Sequence, residues 1–135
     1  MKRLDCLKRL APMVDEHMLT VTSLSSNTAF WSDLRREGAN FFGCNMGLCI
    51  PFALGLTAAF PKRKVIALDS DGSLMVDTSS LITVADVNPQ NFVVIVFDRY
   101  LNRDWIFFIP LIRIRWKLSL PSSGDVVFIL FFLTR

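Results

Sequence analysis

Six consecutive apolar residues, Phe92-Val93-Val94-Ile95-Val96-Phe97, close on Asp98 and constrain this 135-residue chain more than any other stretch. A strand with one wet face alternates in polarity, whereas one that is apolar at every position must be covered on both sides. The segment Lys64-Val65-Ile66-Ala67-Leu68-Asp69 has the same character and also ends on a carboxylate. Between the two runs the spacing predicts a helix with Leu74, Leu81, Ile82 and Ala85 on its apolar face, stopped by Asn88-Pro89. A doubly covered strand, a helix and a second such strand form the unit of a mainly parallel sheet between helical layers. The expected fold class is therefore α/β, three-layered.

The upstream half supports that reading. Residues 2–13 place Leu4, Leu7, Leu10 and Ala11 at helical spacing, and Pro12 ends or bends the run. Met18 to Thr22 is short and β-branched, which predicts a strand. Ser25, Ser26 or Asn27 is positioned to cap a helix running through Phe30, Trp31 and Leu34 to about Glu37, with Gly38 as its stop. Phe41-Phe42 reads as a brief buried strand. Met46 to Phe60 is apolar and rich in small residues, a buried helix with Pro51 in its first turn and too short to span a bilayer.

Composition excludes several functions. Apolar residues make up 52% of the chain and the net charge is only +3, too mild a balance for a nucleic-acid partner. Lys62-Arg63-Lys64 reads as a solvated loop. Cys6, Cys44 and Cys49 are odd in number and lack CxxC spacing, so neither a disulfide framework nor a zinc site is expected. The N-terminal segment is charged throughout and has no signal-peptide core, which points to a cytoplasmic protein. No membrane partner is expected, since the apolar run from Val126 to Leu133 is far shorter than a spanning helix. His17, the single histidine, follows Asp15-Glu16 in a charged connection and reads as a surface residue, so no hydrolase triad can be assembled.

The chemistry is concentrated in Ser70-Asp71-Gly72-Ser73, between a strand and a helix. A diphosphate needs N–H groups or hydroxyls for its oxygens and a cation to offset its charge. A tight Gly-containing turn entering a helix supplies the first, and a carboxylate holding Mg2+ supplies the second. Asp71 has the chemistry to hold the metal, Gly72 permits close approach, and Ser73 offers a hydroxyl to a phosphate oxygen. The same four residues also make an ordinary capped turn. There is no GxGxxG and no GxxxxGK[ST], which leaves dinucleotide and P-loop readings unsupported.

The longer pattern is more specific. The stretch FFGCNMGLCIPFALGLTAAFPKRKVIALDSDGSLMVDTSSLITVADVNPQNFVVIVFD, from Phe41 to Asp98, resembles the thiamine-diphosphate-binding domain of the 2-oxo-acid decarboxylase superfamily. Within it, the likeness is to the small subunit or C-terminal half of sulfopyruvate and phosphonopyruvate decarboxylases. MVDEHMLTVTSLSSNTAFWSDL is similar in arrangement. The resemblance implies thiamine diphosphate and Mg2+ as cofactors. Asp71 matches the magnesium-binding aspartate, and Gly72 and Ser73 match the residues that wrap the diphosphate. Ser70 stands where the family usually has glycine. Met46 matches the apolar residue that wedges between the two rings of the cofactor and imposes its V shape; read alone, it is an ordinary core methionine. The carbonyl of Cys44 would then face the exocyclic amine of the aminopyrimidine.

The resemblance also implies an oligomer. The family's activating glutamate comes from a pyrimidine-binding domain on a partner chain or an N-terminal half. The two glutamates here, Glu16 and Glu37, lie outside the matched loop. The substrate implied is a small 2-oxo acid, and the chain is expected to be inactive alone.

Past Asp98 the pattern departs. The family places an asparagine, its second metal ligand, where this chain has Arg99, and the third, a backbone carbonyl, would fall at Leu101. A cation cannot ligate Mg2+, although it can pair with a phosphate oxygen. Composition changes at the same point: residues 99–135 carry six basic against two acidic residues and eight of the sixteen aromatics. The chain divides at this stage into a partial thiamine-diphosphate-binding domain, 1–98, and an atypical tail, 99–135, with a frameshift as one origin. In the tail, Ile112 to Leu118 alternates like a half-buried strand. Together with 126–133 it either patches the sheet edge or leaves an aggregation-prone surface. Three functional readings stand at this point: a decarboxylase subunit awaiting its partner, a non-catalytic remnant without metal binding, and a generic phosphate-binding α/β module.

Overall fold

Apolar residues two apart along each strand sort onto two faces, and each face has its own helical layer. The computed structural model describes residues 3–97 and, as backbone only, the strand 127–130. Helix α1 (Arg3–Leu10) runs into a 3-10 turn at Ala11–Met13, and then strand β1 (Leu19–Ser23) leads to α2 (Ser26–Leu34). Strand β2 (Asn40–Cys44), α3 (Cys49–Ala59) and β3 (Val65–Ser70) follow. Next come α4 (Asp71–Val76), α5 (Ser79–Val87), β4 (Phe92–Phe97) and β5 (Val127–Leu130).

The sheet order is β2-β1-β3-β4-β5. The first four strands are parallel, with β3 and β4 in register from Val65↔Phe92 to Ser70↔Phe97. Strand β5 pairs antiparallel to β4 from Val94↔Leu130 to Phe97↔Val127. Of the two alternatives for the apolar stretch 126–133, a patch on the sheet edge or an aggregation-prone surface, the four residues 127–130 take the first. Asp98, Arg99, Leu101 and the alternating segment 112–118 lie outside the described residues.

Leu19, Val21, Val65, Ala67, Phe92, Val94 and Val96 pack under α3 and α5, with Cys49, Ile50, Ala53, Leu81 and Val84 from those helices. Ile66, Leu68, Ile95 and Phe97 face the other way, onto Cys6 and Leu7 of α1 and Trp31 of α2. This is the three-layer α/β arrangement implied by the doubly apolar strands. Trp31 is fully buried and donates through Nε1 to the Thr20 hydroxyl at 2.9 Å, which gives its single polar atom a partner in the core.

The segment after β3 departs from expectation. It forms two helices, because Asp77 caps a new start: its Oδ1 accepts from the Ser79 hydroxyl and from the Ser80 N–H at 3.3 Å. The second helix takes a new phase that buries Leu81 and Val84 and leaves Ile82 72% exposed and Ala85 exposed. The stop at Asn88 holds, in left-handed geometry with φ 48°. The capping expectation is met at Ser25 by position only: it has φ 75° and makes no side-chain cap. His17 is a surface residue as expected, with its side chain 82% exposed.

Candidate cofactor site

From β1 the chain moves outward to β2, then crosses back to start β3 on the other side. The carboxyl ends of β1 and β3 therefore flank the point where connections diverge, the usual ligand crevice of an open α/β sheet. Strand β3 reaches this edge as Leu68-Asp69-Ser70 and turns at once into α4. The Ser70 hydroxyl caps that helix by accepting from the Ser73 N–H at 3.4 Å. Asp71, the first helical residue, is half-buried and interacts with its surroundings. A Cβ added at Gly72 would meet one neighbour at 3.8 Å, Cε of Met46. The candidate diphosphate turn and the candidate wedge residue thus stand next to each other, although they are remote in sequence.

Met46 sits on the loop between β2 and α3 and is 51% exposed. That loop depends on Gly47, whose φ is +80°, a conformation L side chains rarely adopt. Its missing Cβ would lie 2.9 Å from Cγ1 of Val76. The Gly47 N–H donates to the Ser73 hydroxyl at 3.1 Å, which ties the loop to the turn. Cys44 ends β2 with its side chain buried, and its carbonyl accepts from the Leu24 N–H at 2.9 Å. A carbonyl holds two lone pairs, so one is left for a further donor. Burial raises the Cys44 thiol above its ordinary pKa, and Asp69 adds to this, so the side chain stays a neutral thiol.

Three residues stand behind this edge, of which the sequence marks Asn27 only as a cap and assigns Asp69 and Ser23 no role in the site. Asp69, Ser23 and Asn27 are each 1% exposed. The Asp69 carboxyl accepts from the Ser70 N–H at 2.8 Å, and the Ser23 hydroxyl beside it donates to the Leu68 carbonyl at 3.4 Å. Burial pushes the Asp69 pKa above the ordinary carboxylate range, the polar groups of Ser73, Ser70 and Ser23 around it oppose that, and Asp71 adds to the rise. Asn27 donates from Nδ2 to the Ser23 hydroxyl at 3.0 Å and to the Leu68 carbonyl at 3.2 Å, so this expected capping residue faces inward instead. The one available signal was a carboxylate closing the apolar run Val65–Leu68.

Beside the site, Phe41, Gly43, Cys44, Asn45, Leu48, Pro51 and Phe52 line an open, largely apolar cleft of about 440 Å³. The rings of Phe41 and Phe52 lie 4.4 Å apart within it. Among the described residues no group of three His, Cys, Asp or Glu side chains is gathered to hold a metal ion. No described helix is long and apolar enough to cross a membrane.

Comparison with known proteins points to one family. Over 98 residues the chain is 31% identical to the beta subunit of sulfopyruvate decarboxylase from Methanocaldococcus jannaschii, covering 72% of this chain and 52% of that subunit. It is 35% identical over 100 residues to sulfopyruvate decarboxylase from Methanosarcina acetivorans, covering 73% of this chain and 25% of that protein. Benzoylformate decarboxylase from Pseudomonas aeruginosa is 30% identical over 106 residues, covering 75% and 20%. The chain spans about half the length of the beta subunit it matches. Residues 24–102 match the family described as thiamine pyrophosphate enzyme, C-terminal TPP binding domain. The match continues past Asp98, where the sequence pattern was read as ending. The chain belongs to the thiamine pyrophosphate enzyme family, as its C-terminal TPP-binding domain.

Proposed function

We propose that this chain is the thiamine-diphosphate- and Mg2+-binding part of a 2-oxo-acid decarboxylase of the sulfopyruvate or phosphonopyruvate type. The observation that carries the reading is the meeting of Met46 with the Asp71-Gly72-Ser73 turn at the carboxyl edge of the sheet. The residues fit the group. Gly72 presents a side open except for the Met46 tip, Ser70 and Asp71 border it, and Asp71 is a half-exposed carboxylate within the turn. In this reading Asp71 holds Mg2+ against the diphosphate, and Gly72 lets the phosphate approach the backbone. Ser73 keeps the turn in shape, since its hydroxyl accepts from the Gly47 N–H. Met46 supports the cofactor rings, and the free lone pair of the Cys44 carbonyl receives the aminopyrimidine amine. When bound, thiamine diphosphate supplies the carbanion and electron sink for decarboxylation.

The chain works as one part of an assembly. A pyrimidine-binding subunit or domain supplies the activating acid, and the substrate is a small 2-oxo acid. Relatives named as a beta subunit support this division of labour. Residues 1–98 form the cofactor-binding unit and 99–135 an atypical tail whose strand β5 joins its sheet. Three free, buried thiols suit a cytoplasmic setting. Calorimetric titration of the full chain, alone and with a pyrimidine-binding subunit, tests the reading. Thiamine diphosphate should bind with Mg2+, fail to bind with EDTA, and resist competition by ATP or NAD. No heat at saturating Mg2+, or displacement by ATP at equal concentration, overturns it.

A further inference from the structure

Strands β1 and β2 do not pair evenly. The register runs Thr20↔Asn40 and Val21↔Phe41, then resumes at Ser23↔Cys44. Thr22 alone therefore faces both Phe42 and Gly43, which is a β-bulge on the outer strand. Gly43 takes up the kink with φ +75°, in the left-handed region that glycine enters freely. An even ladder would set Gly43 opposite Ser23 and carry Cys44 one place further along. A slip of one residue also turns the side chains of a strand to its other face.

The break is filled by a hydroxyl from outside the sheet. The Gly43 N–H donates at 2.8 Å to Oγ1 of Thr28, in the first turn of α2. Thr28 donates its own proton to the Ser23 carbonyl at 2.9 Å and lies 2.7 Å from the Thr22 hydroxyl. With that proton committed, Thr22 is the donor of the pair, and the Thr28 oxygen uses its proton and both lone pairs. Thr22 also reaches the Gly43 N–H, at the longer distance of 3.4 Å. Just past the bulge the ladder resumes, with the Leu24 N–H on the Cys44 carbonyl at 2.9 Å. One hydroxyl thus ties both strands together at the step that sets where the Cys44 carbonyl stands and where the Met46 loop begins.

We infer that Thr28 is a positioning residue: through the Gly43 N–H and the Ser23 carbonyl it locks the bulge that places the Cys44 carbonyl at the candidate site. It acts through β2 rather than on the cofactor. The inference rests on the proposed thiamine-diphosphate reading for its functional meaning, while the lock itself is a property of the unliganded chain. Thr28→Val keeps the shape and removes the hydroxyl, so the Gly43 N–H and the Ser23 carbonyl both lose this partner. Thr28→Ser keeps the hydroxyl.

Two measurements on the full chain test it. In hydrogen exchange without cofactor, Thr28→Val should speed exchange of the Gly43 amide by about tenfold, and Thr28→Ser should restore the wild-type rate. The Thr20 amide, which bonds the Ala39 carbonyl ahead of the bulge, should not change. Equal exchange at Gly43 in wild type and Thr28→Val, or equal acceleration at Gly43 and Thr20, overturns the lock. Thr28→Ala, read in the same way, keeps the test decisive if Thr28→Val does not fold. In binding, Thr28→Val should weaken thiamine diphosphate by about tenfold, with recovery in Thr28→Ser. Mg2+-pyrophosphate should bind all three chains alike, because it has no ring to meet the Cys44 carbonyl. A merely structural role would weaken both ligands, and that result overturns the inference, as does full thiamine diphosphate affinity in Thr28→Val. Faster Gly43 exchange in the variant, with no thiamine diphosphate bound by wild type, overturns the positioning role and places the failure in the cofactor reading rather than in the lock.

Discussion

The two walls of the candidate cofactor site are built on opposite principles. On the β3–α4 wall two polar side chains are sealed in, Asp69 and Ser73 each 1% exposed, behind the half-exposed Ser70 and Asp71. On the β2–α3 wall the apolar groups face out: Phe41 is 44% exposed, Met46 51%, Leu48 53% and Phe52 39%. A buried hydrogen-bonded network has one good geometry and rigidifies what it touches. An apolar surface of this kind, grouped around a cleft, marks a place where another molecule packs. One wall therefore sets the geometry and the other is open to be covered, which accords with the proposal that a cofactor and a partner subunit complete the site.

The contrast can be attacked from either side. The largest expected effect is at the turn: Asp71→Ala should weaken Mg2+-dependent thiamine diphosphate binding by about 100-fold or more, measured by calorimetry, since metal sites lose affinity on this scale even when only supporting residues change. Next is Gly47→Ala, which forces a side chain into φ +80° and to within 2.9 Å of Val76. It should cost about 2 kcal/mol, read as a lower urea midpoint at constant m-value. An unchanged midpoint would mean that the loop is not held where it stands.

Smaller effects distinguish the walls further. Asp69 has a pKa raised by burial, so the folded chain binds its proton more tightly than the unfolded one. Its contribution is fully present below the ordinary aspartate pKa and is lost as pH rises through the raised value. Urea stability of wild type should therefore decline across that window relative to Asp69→Asn, and parallel profiles would contradict the burial argument. Smallest in stability is Met46→Ala on the exposed wall. It should shift folding by less than about 0.5 kcal/mol, yet lower affinity for thiamine diphosphate while sparing Mg2+-pyrophosphate. A large loss of stability would make Met46 a core residue instead.

Much of the architecture was legible because it depends on local pattern. The runs ending at Asp69 and Asp98 could be nothing but doubly covered strands, and both layers of helices followed from them. The helix face after the turn was misjudged because Asp77 restarts the helix at Ser79, so Ile82 and Ala85 fall on the outer side. Periodicity cannot be carried across a break that depends on one side-chain cap. At the site, the Asp-Gly-Ser turn and Met46 were visible as motif residues. Asp69, Ser23 and Asn27 were not, since their meaning comes from partners far along the chain: Asn27 reaches Leu68, and Ser73 reaches Gly47. A serine or asparagine after a strand looks like a cap until the neighbouring strand is known.

The most direct measurement is a crystal structure of the full chain with thiamine diphosphate and Mg2+. The account expects the metal on the Asp71 carboxylate, the diphosphate against Gly72, and the Met46 side chain against the cofactor rings. Cofactor bound elsewhere, or an Asp71 side chain turned into the core away from the metal, would contradict it.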